Sequence, residues 1–258
     1  MILRTRGVSL AHGSESVLRD VSVGVDRGEV LAVIGPSGVG KTTLLGLLSL
    51  AVAPDRGTVE LDGTDAWAAG ESERLALRRR VGMVFQAASL FDASVARNVS
   101  YGLRVRRSWP ERVRDGLRSL VGVAEPEEVD DAVREALDVV GLGDSLDRHA
   151  GSLSGGEARR VSFARALAYD PDVFLLDEPT SDLDPRNTAV VEDAVRRASQ
   201  RGIGVVVASH DMYQAERVAD RVAVMLDDGI AEVGPTERVF ADPDDERTRK
   251  FVSGELVY

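Results

Sequence analysis

The chain has 258 residues, of which 43% are hydrophobic and 29% charged, and it contains no cysteine. This composition predicts a soluble globular protein with one large domain or a core plus a subdomain, and it excludes disulfides, thiolate metal sites and cysteine nucleophiles. A net charge of -11 argues against a nucleic-acid partner, because phosphate binding needs a basic surface.

The sequence carries no sign of a membrane span or of export. No apolar run approaches the ~20 residues that a membrane-spanning helix needs, and the first ten residues contain no apolar signal core. We therefore expect a cytoplasmic protein.

The basic residues are almost all arginine. Lys41 and Lys250 are the two lysines, and the other 30 of the 32 cations are arginine. An acid excess with few lysines is typical of a saline cytoplasm, where carboxylates hold water and high net charge maintains solubility. A GC-rich genome that favours arginine codons is the alternative explanation.

Short β-type segments alternate with helical patterns along most of the chain, which is typical of an α/β core. Strands are predicted at residues 2–10, 17–25, 30–34, 58–61, 81–85, 173–176, 204–209 and 222–226. Helices are predicted beside them at residues 43–50, 72–80, 157–168, 186–201 and 212–219. The acidic residues 241–247 are predicted to form a solvated turn.

From about residue 87 to residue 152 the strand pattern is absent, and helices are predicted at residues 95–106, 109–120 and 126–140. We therefore expect a single domain over residues 1–258, in which a core of residues 1–86 and 157–258 is interrupted by a helical subdomain at about residues 87–156.

A glycine-rich loop, GPSGVGKT, follows the strand predicted at residues 30–34 and precedes an apolar helix. Its glycines allow backbone N–H groups to turn inward around phosphates, at the positive end of the helix. The lysine supplies a point charge that the planar guanidinium of arginine does not replace, and the following hydroxyl can bind Mg²⁺. The predicted ATP-binding residues are Gly35, Pro36, Ser37, Gly38, Val39, Gly40, Lys41, Thr42 and Thr43.

Two acids, Asp177 and Glu178, end the apolar run VFLLDE. Ligands bind at the carboxyl edge of parallel strands, so Asp177 is placed to hold Mg²⁺ through water and Glu178 to act as general base. Taken alone, these acids could equally cap the next element. The phosphate loop upstream favours the functional interpretation.

Gln86 and His210 each follow a predicted strand and are candidates to contact a γ-phosphate. A solvated glutamine and a structural histidine are the ordinary explanations for such residues. Both candidates depend on the resemblance that the ordered motifs carry.

The motifs GPSGVGKT, Gln86, LSGGE at residues 153–157, VFLLDE, SDLD at residues 181–184 and SHD at residues 209–211 occur in this order. The set resembles the ATP-binding-cassette (ABC) ATPases over essentially the whole chain. The resemblance implies an α/β fold with a P-loop NTPase (RecA-like) core, an N-terminal antiparallel β portion and an inserted α-helical subdomain. It also implies an ATPase that drives transport across a membrane.

The resemblance also implies roles for single residues. Glu178, His210 and Gln86 would be catalytic, and Thr42, Gln86 and Asp177 would bind the metal. Asp184 would contact the second subunit of a homodimer that sandwiches two ATP molecules. The residues of the signature turn that would contact the ATP held by that second subunit are Leu153, Ser154, Gly155, Gly156 and Glu157.

Two positions depart from the family pattern. His12 stands where an aromatic residue usually stacks on adenine, and Glu157 stands where glutamine is commoner. An imidazole stacks more weakly than tyrosine, so we expect a weaker contact with the base. Neither departure removes a catalytic group.

Residues 87–106 resemble the part of importer ATPases that receives the coupling helix of the membrane subunit. The implied partners are a transmembrane permease and, indirectly, an extracytoplasmic solute-binding protein, with the chain peripheral at the cytoplasmic face of the membrane. The segments SHDMYQAERVADR and TRKFVSGELVY are similar to ATPases of tungstate uptake and their phosphate and molybdate relatives. We therefore expect an oxyanion as cargo, with tungstate first.

Three alternatives stay open from sequence. The first is an ABC ATPase of another importer, for phosphate or amino acids. The second is a non-transport ABC ATPase of assembly or repair, although such proteins commonly carry two cassettes, a coiled-coil insertion or a basic face. The third is a P-loop kinase, which would not need the LSGGE turn.

The acid excess generates a prediction about salt. If it is an adaptation to a saline cytoplasm, dimerisation and ATPase activity should rise with KCl into the molar range. Two chains at -11 each must approach closely, and molar salt shortens the Debye length to ~3 Å. Activity is measured against KCl concentration. A maximum near physiological ionic strength, followed by a steady fall, would leave codon usage as the explanation.

Overall fold

The computed structural model of the chain describes residues 1–106 and 130–255. The helix predicted at residues 109–120 and the first residues of the one predicted at 126–140 lie outside the described residues. None of the described helices has the length and apolar character needed to cross a membrane.

The strands are β1 (Leu3–His12), β2 (Glu15–Val21), β3 (Gly24–Val25), β4 (Val30–Ile34), β5 (Arg56–Leu61), β6 (Thr64–Asp65), β7 (Val81–Val84), β8 (Val173–Asp177), β9 (Gly204–Ser209), β10 (Arg221–Leu226) and β11 (Gly229–Pro235). The described helices are α1 (Lys41–Leu48), α2 (Glu71–Arg78), α3 (Val95–Arg106), α4 (Asp131–Val139), α5 (Gly155–Leu167), α6 (Pro185–Gln200), α7 (Met212–Val218), α8 (Thr236–Ala241) and α9 (Glu246–Val252).

These strands form two sheets. In the six-stranded sheet the order is β11-β10-β4-β9-β8-β7, and every neighbouring pair is parallel except β10 with β11. The other sheet has the order β2-β1-β5-β6, with β3 also on β1, and all its pairs are antiparallel. The predicted α/β class with an N-terminal antiparallel portion is confirmed.

Strand β4 shows why the strands of the parallel sheet are continuous apolar runs in the sequence. All five of its residues are buried. Leu31 and Val33 pack in one apolar cluster with helix α1, whereas Ala32 and Ile34 pack in a second cluster. A strand covered on both faces needs no alternation of polar and apolar residues, so it was predictable from its composition.

The elements β6, β11, α8 and α9 were not predicted from the sequence, and the strand predicted at residues 17–25 divides into β2 and β3. Strand β11 was not predicted, because its residues, GIAEVGP, include two glycines and a proline and are at most half-buried. The acidic turn predicted at residues 241–247 is too long, since helix α9 begins at Glu246. The side chain of Asp245 caps this helix by accepting from the N–H groups of Arg247 and Thr248.

The chain groups into two compact units. The first comprises residues 1–86, 171–181 and 192–258, and the second comprises residues 87–170 and 182–191. Helix α5 belongs to the second unit because it packs against α3 and α4. The domain bounds predicted from the sequence stay a prediction.

Candidate functional site

Four neighbouring parallel strands of the first unit carry predicted site residues at their carboxyl ends. The glycine loop follows β4, and His210 follows β9. Asp177 ends β8 and Glu178 comes next, and Gln86 lies two residues beyond β7. In the sheet order β4-β9-β8-β7 these ends lie side by side, at the edge where parallel sheets bind ligands.

The loop between β4 and α1 requires glycine at two points. A Cβ on Gly35 would lie 2.2 Å from the carbonyl oxygen of Met225, so the loop packs directly on the backbone of β10. Gly40, the cap residue of α1, has a φ of +105°, which residues with side chains rarely adopt. A glycine loop followed directly by the N-terminus of a helix is the arrangement in which backbone N–H groups bind phosphate.

Lys41 is the first residue of α1, and its side chain contacts this loop. Its side chain is buried, and Nζ donates to the carbonyl oxygens of Gly35 at 2.7 Å and Pro36 at 2.9 Å. Burial lowers the pKa of Lys41, while the charges of Glu178 and Asp177 act in the opposite direction. Because both carboxylates act on the ammonium, the three groups form one electrostatic cluster.

Thr42 and Asp177 bring two oxygen ligands together. The Thr42 hydroxyl donates to Asp177 Oδ2 at 2.9 Å, and the Asp177 side chain is buried. Burial raises the pKa of Asp177 above its ordinary value, more than the hydrogen bond from Thr42 lowers it. A bound cation would offset this burial cost, and a hydroxyl and a carboxylate are hard oxygen donors that suit Mg²⁺.

Glu178 and His210 form a pair at the end of the sheet. His210 Nδ1 lies 2.8 Å from Glu178 Oε1. Glu178 has a φ of +47°, uncommon for a residue with a side chain. This conformation is held because the Glu178 N–H donates to the carbonyl oxygen of Ala208 at 2.9 Å and Ser181 donates to the Glu178 carbonyl. Strained backbone of this kind is frequent at functional sites.

Gln86 and His12 are both exposed in the structure. Gln86 lies two residues after Val84, the last residue of β7. Strand β7 pairs with β8 so that Val84 lies opposite Leu176. His12 is the last residue of β1 and lies opposite Glu15 in the hairpin with β2. The structure thus brings Gln86 to the same sheet edge as the acids and leaves the adenine contact of His12 a prediction.

The LSGGE turn lies in the second unit and opens helix α5. The Ser154 hydroxyl accepts from the Glu157 N–H at 3.2 Å, and Glu157 Oε2 accepts from the Ser154 N–H at 2.8 Å. This reciprocal capping box fixes the first turn of the helix. Hydrogen bonds from Arg148, and next from the backbone of Ser154, lower the pKa of Glu157 to about 2.

Asp184, also in the second unit, fixes the start of helix α6. Its carboxylate accepts from the N–H groups of Arg186 at 2.9 Å and Asn187 at 3.0 Å. The hydrogen bond from the Asn187 N–H is the main cause that lowers the pKa of Asp184. Asn187 in turn lies against Gly156, where an added Cβ would come within 2.7 Å of its side chain. The aspartate therefore shapes the surface beside the LSGGE turn.

Sequence reasoning missed two groups that support the site. Met225 provides the backbone on which the glycine loop packs, and no local pattern marks such a contact. Arg148 binds Glu157 with two hydrogen bonds, of 2.6 and 3.3 Å. The acid at position 157, where glutamine is commoner, was the signal that a cation should be sought nearby.

Comparison with known proteins adds the context. The profile of the ABC transporter family matches residues 18–181. The chain is 62% identical to the phosphate import ATP-binding protein PstB 2 of Natronomonas pharaonis, over 99% of this chain and 88% of that protein. It is 58% identical, with the same coverage of 99% and 88%, to a probable anion import ATP-binding protein of Haloferax volcanii.

Two solved structures share the fold over nearly the full chain. The structure of cbiO1 from Clostridium perfringens, part of the ABC transporter complex cbiONQ, has a TM-score of 0.79 and 27% identity over 99% of both chains. The bacterial ABC transporter cassette MJ0796, solved as a dimer, has a TM-score of 0.76 and 26% identity over 91% of this chain and 98% of that one.

The packing of Gly35 on Met225 generates a prediction about stability. Gly35→Ala places a Cβ 2.2 Å from a backbone oxygen, so the loop or β10 must move, at a cost of about 2–3 kcal/mol. Gly46→Ala in helix α1 is the matched control, because the nearest atom to its Cβ would be Cγ2 of Val52, at 3.4 Å. That change should be neutral or stabilise the fold by about 0.5–1 kcal/mol. The free energy of unfolding is measured by denaturation, and equal values for both variants would contradict the prediction.

Proposed function

The chain belongs to the ABC transporter family, and from that premise we propose that it is the ATP-hydrolysing subunit of an oxyanion importer. In this proposal it is bound to a permease at the cytoplasmic face of the membrane. The observation that carries the catalytic part is the cluster of Lys41, Thr42–Asp177 and Glu178–His210 at one sheet edge. It supplies a phosphate cradle, oxygen ligands for a cation and a positioned carboxylate.

In the proposed reaction, each group of this edge has a separate task. The N–H groups at the start of α1 and Lys41 bind the β- and γ-phosphates of ATP. Thr42 and Asp177 hold Mg²⁺, which when bound neutralises part of the phosphate charge. Glu178 accepts the proton of the attacking water, and Gln86 helps to orient that water and the metal. His210 holds the Glu178 carboxylate in one orientation through Nδ1, a contact of 2.8 Å.

We propose further that the working unit is a homodimer, in which the LSGGE turn completes the nucleotide site of the second subunit. Ser154 is exposed at the positive end of the 13-residue helix α5. Its backbone is fixed by the capping box, so it is preorganised to meet an anion. The related cassette that was solved as a dimer supports this assembly.

The proposed permease contact lies in the second unit, at residues 87–106. Phe91 and Tyr101 are 47% and 48% exposed, and their ring centroids lie 4.5 Å apart. The Arg165 guanidinium lies 5.9 Å from the Phe91 centroid, and it also donates to the Ser89 carbonyl oxygen at 2.8 Å. The fully buried Asn98 donates to and accepts from the backbone of Phe91. An exposed aromatic pair that neighbouring side chains hold in place supports a docking role for this segment.

Phosphate is the cargo that the relatives favour, since one is named for phosphate import and another for anion import. The segments SHDMYQAERVADR and TRKFVSGELVY keep tungstate as the second candidate. Selectivity belongs to the permease and the solute-binding protein. The chain therefore influences which anion is transported through the permease that it binds.

A cargo experiment follows. In cells from which the gene is deleted, the wild-type chain should restore uptake of labelled phosphate, and Glu178→Gln should not. Tungstate accumulation is measured in the same cells. Restored tungstate uptake without a change in phosphate uptake would reverse the order of the two candidates. A chain that restores neither, and that does not copurify with a membrane subunit, would favour a non-transport ATPase.

The role of Glu178 leads to a prediction for Glu178→Gln. This variant should bind ATP with near wild-type affinity but lose ATP turnover by about 10²-fold or more, because the base is removed while the phosphate cradle remains. It should also accumulate as an ATP-bound dimer. Turnover, nucleotide binding and size-exclusion profiles are measured together. Hydrolysis at the wild-type rate would remove Glu178 from the mechanism.

The shared site leads to a complementation experiment. Ser154→Arg blocks the turn, and Lys41→Ala removes the phosphate charge, so each homodimer should be inactive. In a mixed dimer one site carries both changes and the other carries neither. ATPase activity should therefore return on mixing. No recovery, under conditions in which mixed dimers are shown to form, would argue against sites shared between subunits.

A further inference from the structure

Arg148 makes a two-point contact with the acid of the LSGGE turn. Its Nη1 donates to Glu157 Oε1 at 2.6 Å, and its Nη2 donates to Glu157 Oε2 at 3.3 Å. The Arg148 and Glu157 side chains are 40% and 22% exposed, so the contact is partly withdrawn from solvent. Bidentate arginine–carboxylate pairs of this kind are well oriented and stronger than single hydrogen bonds.

Glu157 presents an electrostatic problem for the proposed ATP contact. The start of a helix attracts anions because its N–H groups carry partial positive charge. A carboxylate at the third residue of α5 places a full negative charge in the same turn, where it repels phosphate. Glu157 also accepts from the Ser154 N–H at 2.8 Å, so its carboxylate is held at this turn.

The charged residues around the turn indicate that Arg148 is the one that neutralises Glu157. The open cleft beside the turn is lined by Asp138, Asp144, Arg148, Glu157 and Arg160, among others. Its two aspartates add negative charge. Arg160 donates through Nη1 to the carbonyl oxygen of Val140 at 2.8 Å, whereas the guanidinium of Arg148 is bonded directly to Glu157.

We infer that Arg148 is a positioning residue that neutralises Glu157 and holds it in the capping box, so that an acidic signature turn can receive the γ-phosphate of ATP. The inference rests on the proposed function, in which Ser154 contacts the ATP of a second subunit. Arg148 itself touches no substrate in this account. It acts through Glu157, which it holds by two hydrogen bonds.

A charge cycle tests this inference. Arg148→Ala, Glu157→Gln and the double variant are made in full-length chains that also carry Glu178→Gln, so that ATP-bound dimers accumulate. The net charge of the pair is then zero in the parent, negative in Arg148→Ala, positive in Glu157→Gln and zero again in the double variant. The glutamine retains a carbonyl oxygen to accept from the Ser154 N–H, so the capping geometry is preserved.

The ATP concentration for half-maximal dimerisation should follow this charge. Arg148→Ala should raise it roughly tenfold, as expected for one unneutralised charge near the phosphates. Glu157→Gln should lower it, and the double variant should return close to the parent. The differences between the variants in this ATP concentration should become smaller in molar KCl, where the Debye length is ~3 Å. ATP binding to the monomer, which uses the other unit, should be similar in all four chains.

A purely structural role for Arg148 predicts a different pattern. Arg148→Ala also loses the contact of Nη2 with the Ser152 carbonyl oxygen, 3.4 Å in the structure, and the double variant loses it too. If the double variant dimerises no better than Arg148→Ala, or if Arg148→Ala equals the parent, the inference is wrong. Thermal unfolding identifies a misfolded variant, and Arg148→Lys, which keeps the charge without the bidentate contact, then provides an intermediate value. A parent that never dimerises with ATP would overturn the shared site and this inference together.

Discussion

The parallel pairing of β4 with β9 is the constraint on which the proposed nucleotide site depends. Ile34 lies opposite Ser209, and on the other side of β9 Ala208 lies opposite Asp177. Because this register aligns the ends of three strands, the glycine loop, His210 and Glu178 leave the sheet at one level. A shift of one residue would turn the side chains of a strand to the opposite face and separate Glu178, the proposed base, from the glycine loop.

The buried strands hold this register because they have apolar neighbours on both faces. The same feature made them predictable: the bounds of β4 and β9 agree with residues 30–34 and 204–209. Strand β11 lies at the edge of the sheet and is at most half-buried, so its sequence carried a weaker signal. Helix α9 was not predicted, because the acidic residues before it resemble a solvated turn. One of them, Asp245, is the N-cap of the helix.

Candidate site residues could be proposed from the sequence where one segment supplies both the residue and the strand or helix that positions it. Lys41 and Thr42 begin a helix directly after the glycine loop, and Asp177 ends an apolar run. Met225 and Arg148 do not lie in such a segment. Met225 meets Gly35 through its backbone, so its side-chain type is uninformative. Arg148 is one of 30 arginines, and only the three-dimensional structure identifies its carboxylate partner.

The arginine-rich composition acquires a physical role in these pairs. A guanidinium can grip a carboxylate at two points, whereas an ammonium acts as a single charge. Arg217 also binds a carboxylate at two points: it donates to the buried Glu192 from Nη2 to Oε1 at 2.6 Å and from Nε to Oε2 at 3.3 Å. If this acidic chain binds phosphates at helix ends and strand ends, as proposed, the nearby carboxylates must be fixed and neutralised. Lys41, the lysine in the phosphate loop, stands where a compact charge fits and a planar fork does not.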